Sequence, residues 1–286
     1  MEKSYELKFE APSFFKRIKG MLSVDFYRLF HTPLFYIFLC IAAIIPAMIL
    51  GTMGMENGKG SGEPLYTNMW NIIAASKPLY VIESIGDYAN MNMVFIFGGI
   101  MVSIFIGSDY RSGYVKQLFT THAKKQDYMI SKTITCAFSM SCMCITYLIG
   151  GIAGGAFSGI SFDVNAASSV LGIICAILGK MIMSIGWAAL YTFINIILRK
   201  FFGISIALSF FFGTGILIIG VAAVFEALGV PSVLLNAFLY GSSVFACLNS
   251  GIFPLLMLLI CLVISVAWAM IYIVLGTTIL SKSDVY

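Results

Sequence analysis

The sequence predicts an all-α integral membrane protein with six transmembrane helices, an N-terminal amphipathic interfacial helix and a broken external segment before the last helix. Composition is the first ground. Of the 286 residues, 60% are hydrophobic and 10% charged, against roughly 45–50% and 25% in a soluble domain. So few polar residues could not cover the outside of a soluble fold. Disorder is excluded as well, because disordered chains are poor in apolar residues and rich in charge. Distribution is the second ground: the apolar excess sits in uninterrupted runs, without the period-two alternation of barrel strands.

A spanning helix needs about 20 mainly apolar residues. Six runs approach or exceed that length: 34–53, 91–107, 134–157, 181–198, 204–225 and 255–276. The fourth is the least sharply bounded, since apolar character extends back to Ala166 and is broken by Lys180. No secretory leader is expected, because the first run follows a long charged stretch and exceeds the roughly 7–15 residues of a leader's apolar core. The chain therefore reads as one membrane domain over 1–286, with tails at 1–33 and 281–286 around a membrane region at 34–280.

Lysine and arginine set the orientation. Fourteen of the 17 fall on the face that holds both termini, the loop between spans two and three, and the Arg199-Lys200 turn; only Lys59 and Lys77 lie opposite, with Lys180 ambiguous. The positive-inside rule makes that face cytoplasmic, so a multi-pass protein of the cell membrane with both termini inside is expected. The net charge of +4 is thus a topological signature. No basic helix, zinc finger or aromatic-basic platform accompanies it, and nucleic-acid binding is not expected.

Residues 13–32 place Phe14, Phe15, Ile18, Met21, Leu22, Phe26, Leu29 and Phe30 at helical spacing, with basic residues on the other side. This pattern is that of a helix at a membrane surface. Lys16, Arg17 and Lys19 would meet anionic headgroups while the phenylalanines enter the interface, and Pro33 marks the turn into the first span. The helix reads either as a simple anchor or as an anchor that also touches a cytoplasmic partner. In the loop 108–132, Val115, Leu118 and Phe119 form one short helical face, and Gly113 permits a tight bend before it. Such an element suits docking into a partner's groove or lying on the bilayer, and composition leaves both open.

The external loop 54–90 contains Glu83 and Asp87, four apart, which read as solvated charges because no third ligand type is near enough for a metal. The segment 226–251 is apolar but broken by Gly229, Pro231, Gly241 and Gly251, and reads as helical pieces folded back against other helices. Lys180 reads as a snorkelling residue at the start of span four, or as a polar group lining a substrate surface. Gly98-Gly99 and the run Gly150-Gly151 with Gly154-Gly155 allow close helix contacts.

Several chemistries are missing. There is no G-x-x-x-x-G-K-[ST] loop, since Gly58-Lys59 is followed by Gly60 and Gly179-Lys180 by Met181. No H-E-x-x-H or G-x-S-x-G occurs, and the only two histidines are His31 and His122. The seven cysteines include no C-x-x-C and read as packing residues, with Cys247 near the outer face the one open to oxidation. No ion relay crosses the membrane region. A catalytic chain and a metal site are not expected.

Three features together resemble the type 2, exporter-type, permease subunits of bacterial ATP-binding-cassette transporters. They are Leu29-Phe30-His31-Thr32-Pro33 at the end of the N-terminal helix, the segment from Gly107 to Phe119 with its acidic-x-x-x-Gly-x-x-Lys-x-Leu-Leu-like pattern, and Lys124 to Lys132 feeding span three. Asp109 stands where that family commonly has Glu, and Lys124-Lys125 where a Pro-x-x-Arg-like turn is common. The resemblance implies a second permease subunit, identical or different, and two cytoplasmic ATPase subunits. It makes Asp109, Arg111, Gly113 and Lys116 part of a coupling loop with Val115, Leu118 and Phe119 as its anchors, supported by the surface helix that includes Phe14, Lys16, Arg17, Ile18, Lys19, Leu22 and Phe26. No cofactor would be bound by this chain; ATP and Mg would sit in the partner, whose binding must differ between two conformations to shift them. The implied substrates are amphipathic, such as peptide antibiotics, lipids or drugs. A non-transporting membrane sensor or assembly scaffold is the alternative.

Overall fold

The computed structural model describes residues 13–57, 91–120, 123–159, 170–214, 223–224, 227–229 and 254–282. Within them no strand occurs. The helices are α1 (Phe14–His31), α2 (Pro33–Asn57), α3 (Met93–Arg111), α4 (Tyr114–Thr120), α5 (Lys125–Ser158), α6 (Val170–Ile197), α7 (Phe202–Thr214) and α8 (Pro254–Lys282). Their boundaries follow local chemistry. Pro33 forces the residue before it out of the helical region, and Thr32 is accordingly extended at φ −94° and ψ 121°, which separates α1 from α2. At the far end of α5, Gly159 takes the left-handed conformation at φ +69° that glycine adopts without strain.

Five helices are long and apolar enough to cross a bilayer, within α2, α3, α5, α6 and α8. They correspond to five of the six predicted spans. For the remaining run, 204–225, α7 covers only the first part, and most of the rest lies outside the described residues. The loop 58–90, with Glu83 and Asp87, lies outside them too, as do His122, Glu226, Cys247 and residues 230–253. A 34-residue α5 is about 51 Å long against a hydrocarbon core near 30 Å, so part of it projects. Its charged residues Lys125, Asp127 and Lys132 all lie in the first eight positions.

Helix α5 is the axis of the bundle and touches α1, α2, α3, α6 and α8. Its contact with α2 is made backbone to backbone. A Cβ on Gly150 would lie 1.9 Å from the Ala43 carbonyl oxygen, and one on Gly154 would lie 2.5 Å from that of Ala47. The small-residue reading of this run therefore finds its partner in another span. Helices α6 and α8 pair through Ser265, whose hydroxyl accepts from Gly186 N at 3.0 Å and donates to Ile182 O at 2.6 Å. Trp187 is central to the aromatic packing, 5.0 Å from Phe95 and 6.1 Å from Trp268 between ring centroids. Between α3, α6 and α7 runs a buried polar seam: Asn195 donates to Ser103 at 3.0 Å and accepts from Ser205, while Ser103 and Ser209 share a bond of 2.8 Å.

Lys180 is not at the start of its helix. Helix α6 begins at Val170, so Lys180 lies in its third turn, 3% exposed, donating to Asn92 with its ammonium 5.6 Å from the Phe95 ring. The snorkelling reading is corrected accordingly. An apolar run broken by one charge marks where hydropathy falls, whereas a helix continues for as long as that charge finds a partner.

Candidate functional site

At the end of the bundle where α3 stops and α5 starts, the chain makes a corner. Ser112 and Gly113 donate back to Ser108 O at 2.9 Å and Tyr110 O at 3.3 Å, and Gly113 turns the backbone at φ +75°. Only a residue without Cβ adopts that conformation cheaply. The short helix α4 then runs back over the bundle end. Its apolar side faces inward: Val115 is 1% exposed and packs with Tyr128, Met129, Ile196 and Leu280, while Leu118 and Phe119 are half-buried at the edge of that cluster. Phe119 meets the Tyr128 ring edge-on at 5.8 Å. Lys125 donates to Leu280 O at 2.6 Å, a cation at a helix C-terminus that ties α8 into the same seat. The outward side of the corner presents Arg111, Ser112, Lys116, Gln117 and Thr120.

Beneath the corner lies a charge cluster that joins α1, α3 and α5. Lys132 Nζ is 2.6 Å from Asp25 Oδ1 and 2.7 Å from Asp109 Oδ2, and all three side chains are fully buried. Arg28 Nη2 approaches Asp109 Oδ1 to 2.5 Å. Ser131 donates to Asp25 Oδ2 at 2.5 Å and Tyr128 to Asp109 Oδ2 at 3.3 Å. The guanidinium of Arg28 then stacks 4.2 Å from the ring of Tyr114, the first residue of α4. A carboxylate in the last turn of a helix opposes the helix dipole, and the two cations on Asp109 offset that as well as its burial. Arg28 and Lys132 balance the formal charges of Asp25 and Asp109; three of the four are fully buried and Arg28 is partly exposed at the rim, so each buried charge has an opposite partner. For Arg28, burial works against the charge, but Asp109, Tyr114 and Asp25 outweigh it and its pKa lies above the ordinary value. Burial pushes the Tyr114 phenol up, with Asp25 adding and Lys132 and Arg28 opposing.

The structure brings most of the predicted site residues to this corner, but in different roles. Asp109 and Val115, expected in a partner-facing loop, are inside the protein, and the triple Val115, Leu118 and Phe119 is turned toward the bundle. A helix of seven residues with one apolar side covers the nearest apolar surface available, which is its own. Arg111 and Lys116 do face outward, with Arg111 3.7 Å over the Phe202 ring. On α1, Phe14, Lys16 and Lys19 are exposed, Ile18 and Leu22 are half-buried, and Phe26 packs 5.1 Å from Phe138 of α5. Arg17, expected at lipid headgroups, instead donates to Asp127 of α5 at 2.7 Å. Sequence reasoning missed Asp25, Arg28 and Lys132 as a set. A signal existed for one of them: Asp25 interrupts the apolar face of α1 between Met21 and Leu29, at i+4 from each.

Five apolar spans, four of them packed on the central α5 and the bundle closed at one end by a corner of buried charge, define a multi-pass helical membrane protein. Within that class the chain belongs to the ABC-2 transporter family: the model described as ABC-2 family transporter protein matches residues 21–216, more than half of the chain and all of the charge cluster. It is thus a membrane permease of ATP-binding-cassette transporters, a transport component rather than a catalyst, and permeases of this family normally work with a cytoplasmic ATP-binding subunit. No curated protein and no solved structure matches the chain.

Proposed function

We propose that this permease serves an ATP-driven exporter of amphipathic molecules, with ATP and Mg bound in a separate cytoplasmic subunit and a second permease completing the membrane part. The observation behind this reading is the corner at Gly113. A short helix seated on the bundle end, showing Lys116, Gln117 and Thr120 outward, offers a rigid surface to a soluble motor. In this reading the corner is cytoplasmic, with both termini on the same side and residues 204–225 forming the sixth span. The exposed Phe14, Lys16 and Lys19 of α1 rest in the headgroup region. Substrate class rests on family likeness alone.

Co-expression of the chain with the ATP-binding-cassette subunits of its own genome tests this directly. A stoichiometric complex whose ATPase activity depends on the permease is expected; a chain that purifies alone from every such co-expression contradicts it. Within the complex, Gly113→Pro fixes φ near −65° where +75° is required. The paired change Leu118→Asp with Phe119→Asp places carboxylates on the inward side of α4. Each is expected to abolish transport while leaving membrane insertion intact, and transport at the unsubstituted rate would show that α4 does not couple.

A further inference from the structure

We propose that the cleft between α1, α5 and α6 holds one anionic phospholipid of the leaflet on the corner side, its tail in the α5–α6 groove and its headgroup at Lys19. The inference rests on the placement of Lys19 at headgroup level given above and needs no ATPase. The tail site is a groove of about 390 Å³, walled by Ile134 and Phe138 on α5 and by Leu178, Ile182 and Ile185 on α6. Its one hydroxyl, Ser141, already donates to Ala137 O at 2.9 Å, so the groove suits an alkyl chain rather than water. Both helices carry spans, and Ile134, Phe138 and Leu178 are 40–42% exposed, which opens the groove to hydrocarbon.

The register of α1 on α5 sets where the headgroup lies. Arg17 meets Asp127, Asp25 meets Lys132 and Phe26 meets Phe138, so the two helices advance side by side away from the corner. Lys19 therefore stands level with the first turns of α5, and the groove begins roughly 10 Å deeper by helical rise. Arg17 and Arg28 occupy one flank of α1, turned to Asp127 and to Asp109 with Tyr114. Lys19, Ser23, Phe26 and Phe30 follow at helical spacing on the other flank. Phe26 and Phe30 both meet the Phe138 ring, at 5.1 and 6.0 Å, and Phe138 is itself a wall of the groove. An apolar path thus runs from the groove onto that flank, with Lys19 and Ser23, both exposed, at its outer end. A cation beside such a path at the membrane surface attracts an anionic headgroup; a zwitterionic one gains less, because its own cation is repelled.

The test uses the full chain in lipid nanodiscs, illuminated with a diazirine-tailed phosphatidylglycerol or the matching phosphatidylcholine, and labelled peptides are identified by mass spectrometry. Leu259, Val263 and Val266 of α8, all exposed, report ordinary boundary lipid. The phosphatidylglycerol probe is expected to label 134–141 and 178–185 several-fold above α8 and above the phosphatidylcholine probe. Lys19→Gln should lower that headgroup preference about fivefold, the worth of one cation at an anionic surface, and Lys19→Arg should retain it. Leu178→Trp, at a 42% exposed position where the larger ring can turn into the groove, should remove groove labelling and leave that of α8 unchanged. Equal labelling of groove and α8 would overturn the proposal, because boundary lipid alone gives that. So would a Lys19→Gln chain with its preference intact. A groove kept for a cargo's tail would take neither phospholipid, and that result would overturn it too. The measurement contains no ATPase, so its failure sinks this inference alone, whereas absence of any ATPase complex sinks the coupling reading.

Discussion

Gly150→Leu is expected to separate α2 from α5 and to prevent accumulation of folded protein. The atom in the way is backbone: a Cβ at 150 would come within 1.9 Å of Ala43 O, 2.7 Å of its carbonyl carbon and 2.8 Å of its Cα. Overpacking in a dense core costs about 1–3 kcal/mol when side chains can rearrange; here two helix axes must part, so the loss should reach or exceed the upper end of that range. Gly154→Leu, facing Ala47 O at 2.5 Å, should behave alike. Gly20 on α1, with nothing within 4 Å of its Cβ position, is the control. Gly20→Ala should be neutral or stabilise by up to about 1 kcal/mol through helix propensity. The yield of folded chain after detergent extraction reads the two leucine variants, and unfolding in mixed micelles, following loss of helix signal, reads Gly20→Ala.

The second large effect is expected at Asp109. Asp109→Leu leaves Arg28 and Lys132 sharing the single carboxylate of Asp25 in a buried site, and removing one partner of a buried pair costs about 3–5 kcal/mol. The companion change decides whether charge balance is the cause. With Asp109→Leu and Arg28→Met together, Lys132 still pairs with Asp25 at 2.6 Å, no buried charge is left over, and most of the loss should be recovered. Additive destabilisation in the double-mutant cycle would show instead that shape, rather than charge, is what Asp109 supplies. Folding alone is read here, so the result is independent of any transport activity.

Five of the six predicted spans were legible because a single sequence prints hydropathy directly, and the α2–α5 seam was half legible. Gly150 and Gly154 announce a close contact, but nothing along the chain says that Ala43 and Ala47 receive it. The charge cluster was hidden for a related reason. Ser131 and Lys132 meet Asp25 across more than a hundred residues of chain, and a lysine at the mouth of a span looks identical whether it snorkels or pairs. Helical spacing correctly grouped Val115, Leu118 and Phe119 on one side of α4. It could not say whether that side faces a partner or the protein's own bundle, because both surfaces are apolar. Arg17 illustrates the same limit: an exposed basic residue and one bonded to Asp127 follow the same pattern. Lys180 was misplaced because a hydropathy window ends at a charge, whereas the helix did not.

Attachment of a photoreactive group at Gln117, on the outward side of α4, addresses the central reading most directly. In intact membranes, illumination should join the chain to an ATP-binding-cassette subunit, in a yield that changes when ATP is added. The same position should resist a membrane-impermeant reagent applied to whole cells. Labelling of Gln117→Cys from outside the cell would place the corner on the wrong face of the membrane and contradict the account.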